Sequence, residues 1–359
     1  MEQATMKALV YHGPNRISLD DVPVPQILKN DDVIIKVTLS AICTSDVHIA
    51  AGHIPDVIPD KILGHEFCGE IVEIGPAVSD FAVGDRVMVK PASKCGVCES
   101  CQQGGPARHC VHNGNGHGIF GAYGADGCQA EYMRIPAGEV CMFHIPDGLC
   151  EEDVILVTDM LATGLFGVQK ARVAEGDTVV VIGCGPVGLS ACAVARLFNP
   201  QTIIAVDILD YRVEAAVKAG VADFAIDASR EDVVQRVAEI TNGQLANAVI
   251  ETSGLNASIN TAIMVGGNDA RICTVALFSQ PVTIPNMNVM VMKNMEFITG
   301  IQEGQGMEVM IEAIRTGKLD PRFMLTHQAP LNDILKGYEI LSQQKDNCIK
   351  WLVTPYVRS

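Results

Sequence analysis

At 359 residues the chain is long enough for two domains that each bury a core. A formal charge of −16, spread along the chain with no acidic tail, argues against nucleic acid or an anionic membrane as partner. Thirteen cysteines without an export-type leader point to a reducing, cytoplasmic setting, with thiols acting as metal ligands and core residues; no apolar run reaches membrane-spanning length, so no membrane partner is expected.

Residues 6–40 alternate short β-rich runs with Pro and Asn/Asp turns: 7–10, 17–19 and 33–39. This is the pattern of an all-β module. The third run delivers Cys43 at or just past a strand end, where loops held by a scaffold carry function. His65 and Glu66 follow between Gly64 and Gly69. Thiolate and imidazole are zinc ligands, and a catalytic zinc needs only three protein ligands because one position stays open. Cys43 and His65 supply two of them. Taken alone, Ser45 and Asp46 read as caps of a helix over 46–51, and His48 as a surface residue.

The stretch 40–78 resembles the zinc signature of the medium-chain, zinc-dependent alcohol dehydrogenases. Gly64-His65-Glu66 is followed by Gly69, Gly75 and Val78, and then by Gly84-Asp85-Arg86-Val87. The resemblance extends over essentially the whole chain. It implies that Ser45 contacts the reacting oxygen and the cofactor ribose, and that His48 passes the proton to solvent. It implies that Glu66 stands behind the zinc, as a second-shell group or a transient ligand. Asp46 is expected to orient a ligand as well. Farther on, in 154–164, the family places a third zinc ligand, cysteine in many members and aspartate in a subset. Asp159 falls on that position, and a carboxylate is a competent ligand. The alternative is that Asp159 is the N-cap of the helix that begins there, a role Thr158 could serve instead. The aspartate variant resembles secondary-alcohol and formaldehyde-processing dehydrogenases more than the ethanol enzymes.

Cys95, Cys98, Cys101 and Cys110 form a second cluster. Two overlapping Cys-x-x-Cys units and a fourth thiol predict a closed, structural zinc. The last spacing is one residue longer than the family's usual one. His109 stands at the usual position and is the alternative to Cys110. The Gly-rich loop 111–126, with His112, His117, Phe120 and Tyr123, reads as a surface loop or a pocket lining.

Residues 178–182 read as a buried parallel strand. Gly183-Cys184-Gly185-Pro186-Val187-Gly188 follows, then an Ala-rich helix and a second strand ending in Asp207. This is the context that a dinucleotide fingerprint requires. Gly183, Gly185, Pro186, Val187 and Gly188 would admit the pyrophosphate at the helix N-terminus. Asp207 would accept from the adenosine ribose hydroxyls and repel a 2′-phosphate, which predicts NAD over NADP; Arg212 would line the adenine side. Strands are expected at 224–226, 248–252, 271–276 and 295–301, with helices at 213–219, 231–241 and 256–265 between them. Ser253-Gly254 would lie on the cofactor side. Beyond 302, helices at 305–316 and 331–343 and strands at 323–327 and 351–353 resemble the family's return segment, with His327 structural.

The expected fold is therefore α/β. A β-rich, GroES-like catalytic domain spans 1–157 and 300–359, and a Rossmann domain with a doubly wound parallel sheet spans 158–299. The expected cofactors are one catalytic zinc, one structural zinc and NAD. The expected activity is reversible interconversion of an alcohol, secondary by the Asp159 reading, and its carbonyl compound. Polyol, hydroxysteroid or formaldehyde dehydrogenation on the same site, a zinc-free enone or quinone reductase, and a non-enzymatic NAD sensor are the rivals. The partner is a small molecule, and the family habit is a homodimer or homotetramer.

Overall fold

The computed structural model describes residues 4–113, 118–302 and 304–356. The chain divides into two units, Met1–Asp159 with Leu325–Ser359, and Met160–Met324.

The first unit is built around the strand Val33–Ile42. Val33, Ile34, Ile35, Val37 and Leu39 are all buried, so the strand is covered on both faces and its apolar run is nearly continuous. It pairs antiparallel with Glu66–Ile74 on one side and with Lys350–Thr354 on the other. Ala41 lies opposite Glu66, and Ile42 opposite Trp351. Leu325–Pro330, Arg86–Val89, Met142–His144 and Tyr132–Ile135 complete a seven-stranded sheet. A smaller sheet holds Arg16–Pro23, Thr5–Gly13 and Lys61–Ile62. Phe67 and Phe120 meet edge to face at 6.0 Å in the core beside the main sheet. Full burial of each such side chain contributes about 1.5–3 kcal/mol.

The second unit is a six-stranded parallel sheet. Its order is Phe224–Asp227, Thr202–Asp207, Thr178–Ile182, Ala246–Glu251, Gly266–Thr274 and Glu296–Thr299. In chain order this is 3-2-1-4-5-6, the doubly wound dinucleotide-binding topology. Val179, Val180 and Val181 are wholly buried, as a central parallel strand between helical layers requires.

Two boundaries differ from the sequence expectation. The first falls after Asp159 rather than 157, because Asp159 sits against Cys43 and His65 of the first unit. The second falls at 324/325 rather than 299/300. The helix Met307–Arg315 packs on Met160–Lys170, and Ser190 contacts the Met324 sulfur, so 300–324 stays with the parallel sheet. A short helix, Met287–Met292, was not foreseen. Residues 114–117, which include Gly114, Gly116 and His117, lie outside the described residues. The rest of that loop is not simply surface: Phe120 and Ala122 are core residues, and Tyr123 donates to the Pro55 carbonyl.

Candidate active site

The strand Val33–Ile42 ends one residue before Cys43, and the helix Thr44–Ala50 begins one residue after it. Cys43 is the N-cap. The Asp46 carboxylate accepts the Cys43 N–H at 3.0 Å and closes a capping box. The cap is thus made by Cys43 and Asp46, not by Ser45. The same Asp46 oxygen accepts from Gln129 Nε2, whose amide oxygen in turn accepts from the Tyr338 hydroxyl. Its other oxygen faces His65 Nδ1 at 3.3 Å. A ring proton on Nδ1, toward Asp46, would leave the Nε2 lone pair free to ligate a metal in the site.

Three further groups face it there. Asp159 Oδ2 lies 3.5 Å from His65 Nε2 and 3.8 Å from Cys43 Sγ. Ser45 Oγ is 3.4 Å from His65 Nε2. Glu66 is wholly buried; one oxygen accepts from Lys350 Nζ at 2.5 Å, and the other, buried as well, has no hydrogen-bond partner. Ligand atoms of Cys43, His65, Glu66 and Asp159 all lie within 4.8 Å of one another. Tetrahedral zinc with bonds of about 2.0–2.3 Å separates its ligand atoms by about 3.3–3.8 Å, so the donor set and its spacing fit that ion. Asp159 follows the 3-10 turn Ile155–Thr158, and Thr158 does not cap the next helix; its hydroxyl donates back to Ile155.

Electrostatics at the site are strongly coupled. Burial pushes the Cys43 thiol up, opposed by its hydrogen bond to His65. Burial works against charge on His65, yet Asp46 and Asp159 raise its pKa well above the ordinary value. Burial raises Glu66, opposed by Lys350. Burial also opposes charge on Lys350, but Glu66 and Cys43 outweigh it and its pKa is raised. His48 is exposed at the end of the same helix, with Nδ1 3.3 Å from His53 Nδ1. Partial desolvation and then His53 hold its pKa below the ordinary value.

The four thiols of Cys95, Cys98, Cys101 and Cys110 also converge within 4.8 Å. Cys110, not His109, completes the set; His109 closes the 3-10 turn Ala107–His109 instead. All thirteen cysteines are free. The Cys95 and Cys101 sulfurs are 3.9 Å apart, and backbone N–H groups of Cys98 and Cys95 point at sulfurs. His112 Nδ1 lies 3.1 Å from Cys95 Sγ. Burial raises Cys95, but His112 and neighbouring N–H groups outweigh it and bring its pKa down to about 5, while burial pushes Cys101 up to about 12. A cation at the centre would settle both as thiolates.

In the second unit, Gly183 takes a φ of +87°, and a Cβ there would sit 2.9 Å from Ser253 N. A Cβ on Gly188 would lie 1.8 Å from the Gly183 carbonyl oxygen. Gly185 caps the helix Pro186–Ala195, with Pro186 in its first turn and Val187 beside it. Asp207 ends its strand and braces this loop, accepting from Cys184 N at 2.6 Å and Leu209 N at 3.0 Å. Arg212 Nη1 stands 3.6 Å from Asp207. Ser253 and Gly254 are held by Glu251, a buried carboxylate that accepts from both backbone N–H groups and from the hydroxyls of Ser253, Ser258 and Thr274. His327 stacks on Trp351.

Sequence reasoning missed Lys350, Gln129, Tyr338, His53 and Glu251. Lys350 and Tyr338 carry no local signal, being 284 residues from Glu66 and 209 from Gln129, whereas His53 lies only five residues beyond its partner His48.

A catalytic unit with a buried Cys–His–carboxylate cluster, a four-thiol lobe and a six-stranded dinucleotide fold define a zinc-binding dehydrogenase. The comparisons agree: residues 29–147 match the alcohol dehydrogenase GroES-like domain, and residues 186–316 the zinc-binding dehydrogenase domain. The chain belongs to the zinc-dependent medium-chain alcohol dehydrogenase family. It is 34% identical to an uncharacterized zinc-type alcohol dehydrogenase-like protein, AdhB, of Bacillus subtilis, over 98% of this chain and 100% of that one. It is 33% identical to the sorbitol dehydrogenase of the same organism, over 98% and 97%. The solved structure of zinc-dependent alcohol dehydrogenase 2 from Streptococcus pneumonia superposes with a TM-score of 0.90 at 30% identity, covering 99% of both chains. The chain is accordingly a zinc-type, alcohol dehydrogenase-like oxidoreductase of the class that acts on CH–OH donors. Among the described residues, no helix is long and apolar enough to cross a membrane.

Proposed function

We propose that this oxidoreductase interconverts a secondary alcohol, a polyol included, and its carbonyl compound with NAD. The observation that carries this reading is the convergence of Cys43, His65, Glu66 and Asp159 on one buried point. Cys43, His65 and Asp159 would hold the catalytic zinc, and Cys95, Cys98, Cys101 and Cys110 a structural one. When bound, zinc supplies Lewis acidity toward an alcohol oxygen, and the dinucleotide supplies the hydride acceptor.

The chain's own residues do the rest. Asp46 fixes the His65 ring, and Gln129 and Tyr338 fix Asp46. Ser45 Oγ, beside His65 Nε2, takes the hydroxyl proton of the substrate, since a hydroxyl both accepts and donates. His48 lies one helical turn on, on the same face. With a pKa held below the ordinary value it is neutral near pH 7 and able to accept a proton. His53, in contact with it and exposed, carries the proton to water. For the dinucleotide, Asp207 disfavours a 2′-phosphate. Arg212 is engaged with Asp207, which supports NAD over NADP.

The aspartate at 159 favours secondary alcohols through its resemblance to that subset, and the relative named sorbitol dehydrogenase adds weight to a polyol. Asp159→Ala tests the site. The expected result is loss of one zinc per chain and of alcohol-dependent NAD reduction with the fold intact by circular dichroism. Full activity in that variant would remove Asp159 from the site.

A further inference from the structure

The register of the main sheet brings a lysine into the candidate zinc site. Lys350 opens the strand Lys350–Thr354, and Glu66 opens Glu66–Ile74. These strands flank the end of Val33–Ile42, with Trp351 opposite Ile42 and Glu66 opposite Ala41. Two strand spacings are about 9.5 Å, a gap that a lysine and a glutamate bridge only by reaching toward each other. Lys350 is 1% exposed and Glu66 0%. Nζ donates to Glu66 Oε1 at 2.5 Å, while Oε2 is buried without a partner. A buried carboxylate oxygen with no donor is costly. A cation beside Cys43, His65 and Asp159 would relieve it.

Building on the zinc reading above, we infer that Lys350 is a positioning residue that keeps Glu66 from becoming a permanent fourth ligand and so leaves that position to substrate. The charges support this. A Cys43 thiolate and the Asp159 carboxylate together balance one divalent cation. Glu66 adds a surplus negative charge, and Lys350 cancels it at a hydrogen-bonded distance. Without the ammonium, a buried Glu66 would turn to the metal for its counter-charge. Lys350 thus acts on ligand exchange through Glu66, without touching the reacting atoms.

The test follows the zinc pool that Asp159→Ala lacks, measuring its release to a chelator, together with imidazole binding to the cobalt-substituted full-length protein. In Lys350→Met, release is expected to slow, and imidazole affinity to fall, each by about tenfold or more, because Glu66 closes the site. Lys350→Arg restores both toward wild type. Release as fast as wild type or faster in Lys350→Met, with imidazole affinity unchanged, would overturn the inference and leave Lys350 a packing residue. Should Lys350→Met not fold, Glu66→Gln decides. Release within about threefold of wild type is expected if Glu66 is held in reserve, whereas a rise of about tenfold or more would make it a standing ligand and overturn the inference. A wild-type protein with no zinc pool sensitive to Asp159→Ala would overturn the zinc reading itself, and this inference with it.

Discussion

At the scale of single residues, the candidate site is a hierarchy of constraints. Asp46 serves two masters: one oxygen caps the helix that carries Ser45 and His48, and the other orients His65. Asp46→Asn keeps the cap, because an amide oxygen still accepts the Cys43 N–H. It weakens the hold on His65, so zinc affinity is expected to fall about 10–100-fold with little change in Tm; competition with a metal-sensitive dye reads the affinity. A large drop in Tm with unchanged affinity would mean that Asp46 serves the helix alone. Cys43 and His65 were legible from the chemistry of their side chains and their place after a strand, whereas the roles read for Ser45 and Glu66 came through family resemblance. Asp159 was legible only through family resemblance. Lys350 was not legible at all, because sheet register, rather than any local pattern, brings it to Glu66.

At the scale of elements, the strand Thr178–Ile182 and the helix Asn256–Val265 lie where periodicity put them. Strands buried on both faces and helices with apolar faces announce themselves. Met287–Met292 did not, being a short Met-rich helix entered from Asn286 at a φ of +57°. The dinucleotide turn makes a sharp prediction. Gly188→Ala places a methyl 1.8 Å from a backbone carbonyl, so the loop must move. A loss of about 1–3 kcal/mol in stability and of most NAD affinity is expected, read by denaturant titration and by NADH fluorescence. In the four-thiol lobe, Cys110→Ser should release one zinc and lower Tm, whereas His109→Ala should do neither; zinc analysis with calorimetry separates them. The small sheet carries a pH-sensitive link. His12, at the end of Thr5–Gly13, bonds Asp60 at 2.7 Å and Asp20 at 2.9 Å, with Ser18 beside it and Arg16 donating to its carbonyl. Asp60 first and then Asp20 raise its pKa above 6.5. Its stabilising effect is therefore complete below that value and is lost as pH rises through the raised folded pKa. The Tm gap between wild type and His12→Gln should be widest near about pH 6 and close on the alkaline side. A gap that widens with pH would contradict the assignment.

For the whole molecule, a chain with the 3-2-1-4-5-6 sheet in one unit and the metal-ligand clusters in the other divides its labour between dinucleotide and metal. The unit boundary at 324/325 was not legible, because which unit claims 300–324 depends on how Met307–Arg315 packs on Met160–Lys170. The proposed function requires two zinc pools of different character. Chelation of the exposed-rim thiol lobe is expected to lower Tm, and loss of the buried pool to abolish turnover while leaving NAD binding in place. The most direct test of the central claim is the initial rate of NADH formation by the zinc-loaded protein over primary, secondary, polyol and alicyclic alcohols. NADP is run in parallel, and the Asp159→Ala variant beside the wild type. The account predicts turnover of secondary alcohols or polyols with NAD, a preference for NAD over NADP, and a fall of at least about 100-fold in the variant. Turnover that survives both Asp159→Ala and complete removal of zinc would contradict it.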